Sequence, residues 1–206
     1  DKIENASNLV FRSKPGKFSI FDYVNDTIQL KSAPTAMANF MGRLYLFDKE
    51  NTYKVNQESL VIEDIFEGIG CSSQASVIVT EYGMFYGDDN GAYMHNGTTP
   101  NKISNTIFRG GNISGTSSFA GTDNINDVSW DAVTIASKKA VPIVTFDSGM
   151  QSVLFLIRYY DTDANKQGIK KYYLWSYNIP KRRWDLWELN ENVNIGNPFI
   201  GEKGRV

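Results

Sequence analysis

Apolar and polar residues alternate with a period of two through most of this chain, in short runs separated by Gly, Asn and Asp. That spacing predicts β-strands and leaves few stretches with helical periodicity. The runs also recur as a phrase: a strand of small residues, a turn, an apolar-alternating strand, a second turn, then a strand bearing Tyr or Trp. It occurs at Ala38–Phe47, where Gly42 leads the turn, and again from Ala75 to Gly87. A longer copy runs from Val141 to Leu189, and a further one begins at Asn197 and stops at Val206. Repeated supersecondary units that each need a neighbour to bury their faces predict a propeller or solenoid.

The expected architecture is therefore all-β, with β-propeller blades made of four-stranded antiparallel sheets, and the chain is expected to be a fragment of a larger propeller. Residues 1–33 read as trailing strands of a preceding blade, with Phe18, Ile20, Asp22 and Val24 on one face of a strand and Ser19, Phe21 and Tyr23 on the other. Residues 34–68 form a blade in which Leu44 and Leu46 face away from Tyr45 and Phe47, so that its strand is buried on both sides. Residues 69–104 form the next blade, in which Asp88-Asp89-Asn90-Gly91 reads as an Asn-Gly hairpin. Residues 105–140 depart from the pattern as an insertion or long loop, Gly/Ser-rich around Arg109–Ser118. Residues 141–189 form a blade with aromatic stripes: Tyr173, Trp175 and Tyr177 share one face, and Trp184 and Leu186 share another. Residues 190–206 start a further blade.

Composition narrows the function classes. In 206 residues, 41% are apolar and 13% aromatic, enough for a packed core. A formal net charge of −2 does not suit a general nucleic-acid-binding surface. The single cysteine, Cys71, excludes an internal disulfide and any Cys-rich zinc site, and no apolar run approaches the roughly 20 residues of a membrane helix, so no membrane anchor is expected. The Asn-x-Ser/Thr triplets at Asn5, Asn25, Asn96 and Asn112 occur at the frequency expected of an Asn-rich chain.

Candidate chemistry is sparse. His95 is the only histidine, so neither a His-based metal site nor a Ser-His-Asp triad has its parts, and a structural role at the end of a hairpin strand is expected. Cys71, in Gly68-Ile69-Gly70-Cys71, has no neighbouring base and reads as a small buried residue. Asp161, Asp163 and Asn165 have the spacing of a calcium loop, but Lys166 stands where glycine is required and Tyr172 where a glutamate is, so this is a hairpin tip. No catalytic, cofactor or metal residue is expected. The residues left as ligand or interface candidates are the aromatics Trp175, Tyr177, Trp184 and Trp187 and the cations Lys181, Arg182 and Arg183. Flat rings suit sugar stacking, although more often they fill the wedge between blades; Lys170 and Lys171 extend the basic flank, offset by nearby acidic residues.

The stretch Phe66–Ser73, Ser76-Val77, Gly83–Gly87, Asp89–Tyr93, Asn96-Gly97 and Ile103-Ser104, with the later Tyr172–Tyr177 and Trp184–Leu189 strands, resembles tailed-bacteriophage virion proteins with β-propeller blades. These are the nozzle or tubular proteins of short-tailed phages and the muzzle-type tail proteins of crAss-like phages. The resemblance covers roughly 38–104 and 141–206. It implies a non-enzymatic structural protein of the phage tail: copies of the chain in a ring, contacts with other tail proteins, and passive DNA passage without specific binding. A carbohydrate-binding or adhesion propeller is the alternative; a propeller enzyme is a third class, for which the family pattern offers no catalytic residues.

Overall fold

The computed structural model describes residues 7–105, 130, 141–160 and 170–189. The proposed insertion at 105–140, apart from its first residue and Trp130, the Asp161–Gly168 tip and the 190–206 start of a further blade lie outside these residues. Packing divides the chain into two compact units, Asp1–Gln74 and Ala75–Val206. The described residues are almost entirely β-strands and their connections, with a three-residue 3-10 helix at Gln74–Ser76, and three four-stranded antiparallel sheets dominate.

In the first unit, β1 (Leu9–Phe11), β2 (Ser13–Lys14), β3 (Lys17–Phe21) and β4 (Thr27–Gln29) precede a meander of β5 (Ala36–Phe40), β6 (Arg43–Phe47), β7 (Asn51–Val55) and β8 (Ile62–Glu67). β5 to β8 pair in sequential order, β1 pairs with β4, and β2 and β3 form a separate hairpin between them. The β5–β6 hairpin turns on Met41 and Gly42, both at positive φ (50° and 70°), the twist that matches two antiparallel strands. One face of the meander presents Leu46, Tyr53 and Val55 to Ile28 and Leu30 of the β4 segment, with Val10, Leu44, Leu60 and Ile62 packed around them. The other face is buried as well, through Ala36, Phe40, Tyr45 and Phe47. Arg12 ties the segments together: it grips the buried carboxylate of Asp26 and donates to the carbonyls of Gln57 and Glu58 at 2.8 and 2.9 Å.

The expected strand through Phe18–Val24 is cut short. β3 ends at Phe21 because Asp22 closes a turn, its Oδ1 accepting the N–H groups of Val24 and Asn25 at 3.1 Å each. Every residue of β3 is exposed, so the alternation there does not mark a buried face. After β8 the chain returns against the β6–β7 turn, where Cys71 N–H donates to the Asp48 carbonyl at 2.9 Å. Gly70 allows this approach, since a Cβ there would lie 2.2 Å from the Lys49 carbonyl oxygen.

The second unit holds two meanders in sequence. β9 (Val77–Thr80), β10 (Gly83–Asp88), β11 (Gly91–His95) and β12 (Asn101–Lys102) form the first, and β13 (Ile143–Asp147), β14 (Ser152–Tyr160), β15 (Lys170–Asn178) and β16 (Arg183–Leu189) the second. Their first strands, β9 and β13, lie beside one another, and Ser76 Oγ donates to the Pro142 carbonyl where both begin. A shared core joins the sheets: Phe85 and Ala92 from one, Val144, Phe146, Val153, Phe155, Ile157, Tyr173, Trp175, Tyr177 and Trp184 from the other, with Trp130 among them.

Two readings of local detail change. The 88–91 hairpin does not turn on Asn-Gly: Asp88 pairs with Gly91, the turn is centred on Asp89 and Asn90, and neither has positive φ. Trp184 and Leu186 lie on the same side as Tyr173, Trp175 and Tyr177, because the 179–182 turn sets Tyr177 opposite Trp184 and Trp175 opposite Leu186.

The two special turns carry opposite expectations. Met41→Asn, at an exposed residue already in left-handed conformation, raises stability by about 0.5–1 kcal/mol in chemical denaturation. Gly70→Ala lowers it by about 1–3 kcal/mol, since backbone has to move to admit the methyl group.

Candidate functional site

Alternation along β14, β15 and β16 places one aromatic wall on the side that faces the β9–β12 sheet. Trp184 lies at its centre, with ring centroids 4.9 Å from Tyr177, 5.6 Å from Phe155, 6.3 Å from Trp175 and 6.5 Å from Trp130. These are tilted and edge-on contacts, the arrangement aromatic quadrupoles favour. Trp184 Nε1 donates to the Ile103 carbonyl at 2.9 Å, a polar tie between the two meanders, and Trp130 Nε1 donates to the Asp88 carbonyl at 3.0 Å. Trp175 is equally buried, and among the described residues its Nε1 has no hydrogen-bond partner. Burial pushes the Tyr177 hydroxyl above its ordinary pKa, against a smaller opposing effect of Arg182.

The four candidate rings thus separate. Trp175, Tyr177 and Trp184 are interior, whereas Trp187, opposite Leu174 on the other side of the sheet, is 44% exposed. Trp130 is the ring the sequence did not single out; a lone Trp in the 105–140 segment, outside the repeated pattern, was its signal.

Lys181, Arg182 and Arg183 are brought together on the exposed β15–β16 turn. Asn178 Oδ1 accepts the Lys181 N–H at 3.0 Å, and Arg182 takes a positive φ of 50°. Arg183 is paired with Asp185 at 3.0 Å; Lys181 and Arg182 form no ion pair among the described residues. The turn is a small cationic knob beside the strand that carries Trp187. The side chains of Lys170 and Lys171 lie outside the described residues.

A second constellation was missed by the sequence reading: an Asp that ends one strand and a Tyr five residues later on the next. Asp48 Oδ1 accepts the N–H groups of Glu50 and Asn51 at 2.8 and 2.6 Å, closing the β6–β7 turn, while Oδ2 receives the Tyr53 hydroxyl at 2.6 Å. Tyr53 in turn accepts the Lys31 N–H at 3.0 Å. Asp88 closes the β10–β11 turn in the same way, its Oδ1 accepting from Asn90 and Gly91 at 2.8 Å each, and its charge is felt by Tyr93 on the next strand. Asp147 closes the β13–β14 turn in the same way, accepting from Gly149 and Met150 at 2.8 and 3.1 Å.

Burial pushes the Asp48 carboxyl up, but the hydrogen bonds from Tyr53, Glu50 and Asn51 outweigh it and hold the group below its ordinary range. Burial and the Asp48 carboxylate push Tyr53 up to about 12, and burial with Asp88 raises Tyr93 as well. These groups are held in one protonation state by the fold and are poorly suited to exchange protons near neutrality. Cys71 is buried, its thiol 3.2 Å from the Ser73 carbonyl. His95 is buried too, and its Nδ1 accepts the Gly97 N–H at 2.9 Å. Among the described residues, no three His, Cys, Asp or Glu side chains converge to hold a metal.

No protein-family model and no curated protein matches this chain.

Two measurements check this geometry. Trp184→Ala costs about 3–5 kcal/mol in denaturant unfolding, whereas the exposed Trp187→Ala costs less than about 1 kcal/mol. Asp48→Asn costs about 1–3 kcal/mol at neutral pH. Because the folded pKa of Asp48 is depressed, that stabilisation is full above the ordinary carboxylate pKa and is lost as pH falls through the folded value. The gap between wild type and Asp48→Asn therefore narrows below about pH 4. Tyr53 has the opposite sign: its raised pKa stabilises fully below about pH 10, and the contribution is lost towards 12.

Proposed function

We propose that this chain is a structural component of a bacteriophage virion tail, a nozzle- or muzzle-type ring subunit that lines or closes the DNA conduit, and that its meanders are blades of a β-propeller. The observation that carries the reading is the use of the aromatics. A glycan platform needs flat rings presented to solvent, and three of the four candidate rings, Trp175, Tyr177 and Trp184, are interior. Rings committed to a core make a rigid building block.

The blade reading is supported within the second unit by consecutive four-stranded meanders that share one aromatic core and run their first strands side by side. It is supported also by sheets with two buried faces: Phe85 and Ala92 on one face of β9–β12, and Met84, Tyr86 and His95 on the other, are all inaccessible. Sheets sandwiched in this way suit stacking around an axis. In this reading, copies of the chain associate by cyclic contacts, meet other tail proteins, and let DNA pass without gripping it, consistent with a net charge of −2.

The carbohydrate-binding alternative rests on Trp187, the exposed ring on the strand that follows the Lys181–Arg183 turn. Peptide mass spectrometry on density-purified phage particles from the source separates the two. Peptides of this chain at tail-protein abundance are expected. Their absence from particles, with the chain recovered in a soluble or secreted fraction, overturns the tail assignment and favours glycan binding.

A further inference from the structure

We propose that Asn96 is a site of self-catalysed deamidation, with the Gly97 backbone nitrogen as nucleophile and the neighbouring side chains of His95 and Thr98 as its catalytic groups. The three parts of such a reaction meet in the turn that follows β11. Gly97 N–H, the group that must lose its proton to attack, donates to His95 Nδ1 at 2.9 Å, within the reach of a general base. The accepting nitrogen is by that bond the unprotonated one of a neutral imidazole, the form that takes up a proton. The Asn96 side-chain carbonyl, where negative charge develops, accepts the Thr98 hydroxyl at 2.8 Å, and the Thr98 N–H approaches the same oxygen at 3.4 Å. Donors already aimed at a developing oxyanion favour the addition step. Gly97, with φ of 103°, has no Cβ to obstruct ring closure, and Asn96 is exposed, so water reaches the product.

The chemistry balances without any outside oxidant or reductant. The Gly97 N–H proton passes to His95 Nδ1 as the nitrogen bonds to Asn96 Cγ, and charge collects on Oδ1 beneath the Thr98 donors. The Cγ–Nδ2 bond then breaks, and the amine leaves as ammonia with the proton returned by His95. The five-membered succinimide that remains is opened by water, to aspartate through one carbonyl or to isoaspartate through the other. Either product places a negative charge on the turn between β11 and β12, and isoaspartate adds a methylene to its backbone.

The chain carries its own control. Asn90-Gly91 is the same dipeptide on the preceding turn, but its Gly91 N–H donates to the Asp88 carboxylate at 2.8 Å, a far weaker base than imidazole. That oxygen is shared with the Asn90 N–H, and among the described residues no donor approaches the Asn90 side-chain carbonyl. The same sequence chemistry thus stands in two different surroundings.

The test is peptide mapping with isoaspartate-specific methylation, on the native protein and on the urea-denatured chain incubated side by side at neutral pH. Native Asn96 is expected to convert faster than denatured Asn96, and native Asn90 more slowly than denatured Asn90. Thr98→Val is expected to slow native conversion at Asn96 about fivefold, the loss of one hydrogen bond. His95→Gln, with its fold checked by circular dichroism, is expected to bring Asn96 down to the denatured-chain rate or below. The proposal is overturned if native Asn96 converts no faster than the denatured chain, or if Thr98→Val leaves its rate unchanged; neither result depends on the histidine variant folding.

Discussion

The carboxylates that reverse three of the hairpins are buried although the tips of those turns are exposed, and a buried charge must be satisfied from within. The carboxylates of Asp48, Asp88 and Asp147 meet that constraint. Each takes two backbone N–H groups of its own turn, and Asp48 also binds the hydroxyl of Tyr53 on the following strand. An unpaired buried donor costs about as much as a core methylene or two. The inner N–H groups of two of these turns, those of Asn51 and Gly91, are buried and would carry that cost without their aspartates. Asp22 closes a turn in the same way at an exposed site, where the requirement is one of chain reversal alone.

Around these turns, large rings fill the space. In the second unit, Trp184 touches Trp130, Trp175, Tyr177 and Phe155, and its indole N–H crosses to Ile103 of the other meander. A single side chain thus packs one sheet and hydrogen-bonds the other. Trp130, which belongs to neither sheet, does the same, packing on Phe155 and donating to Asp88. The exposed residues of interest, Trp187 and the Lys181–Arg183 turn, stand outside that interior on the edge strand and its hairpin.

The strands of 141–189 were legible because their alternation is strong and their turns are rich in Gly, Asn and Pro. The pairing of the rings was not. Whether Trp184 faces with or against Trp175 depends on how many residues the 179–182 turn consumes, and a slip of one residue exchanges the faces. The strand expected at 18–24 failed for a different reason: alternation records a pattern, whereas the break at Asp22 comes from a side chain competing for backbone N–H groups. Candidate site residues suffered most. Trp175, Tyr177 and Trp184 look alike in sequence to Trp187, and only packing distinguishes a core ring from a surface one.

What the sequence by itself determined was the local grammar: β-strands of period two, reversals at Gly, Asn and Asp, and repetition of one four-stranded unit. These follow from backbone sterics and side-chain alternation, which act over a few residues. Tertiary structure alone decided which face of each strand was covered, that Trp130 joined a core laid down by distant strands, and that the carboxylates of Asp48 and Asp88 were buried. Those outcomes depend on register and on contacts between residues far apart in the chain, where burial changes what a carboxylate, a phenol or an indole does.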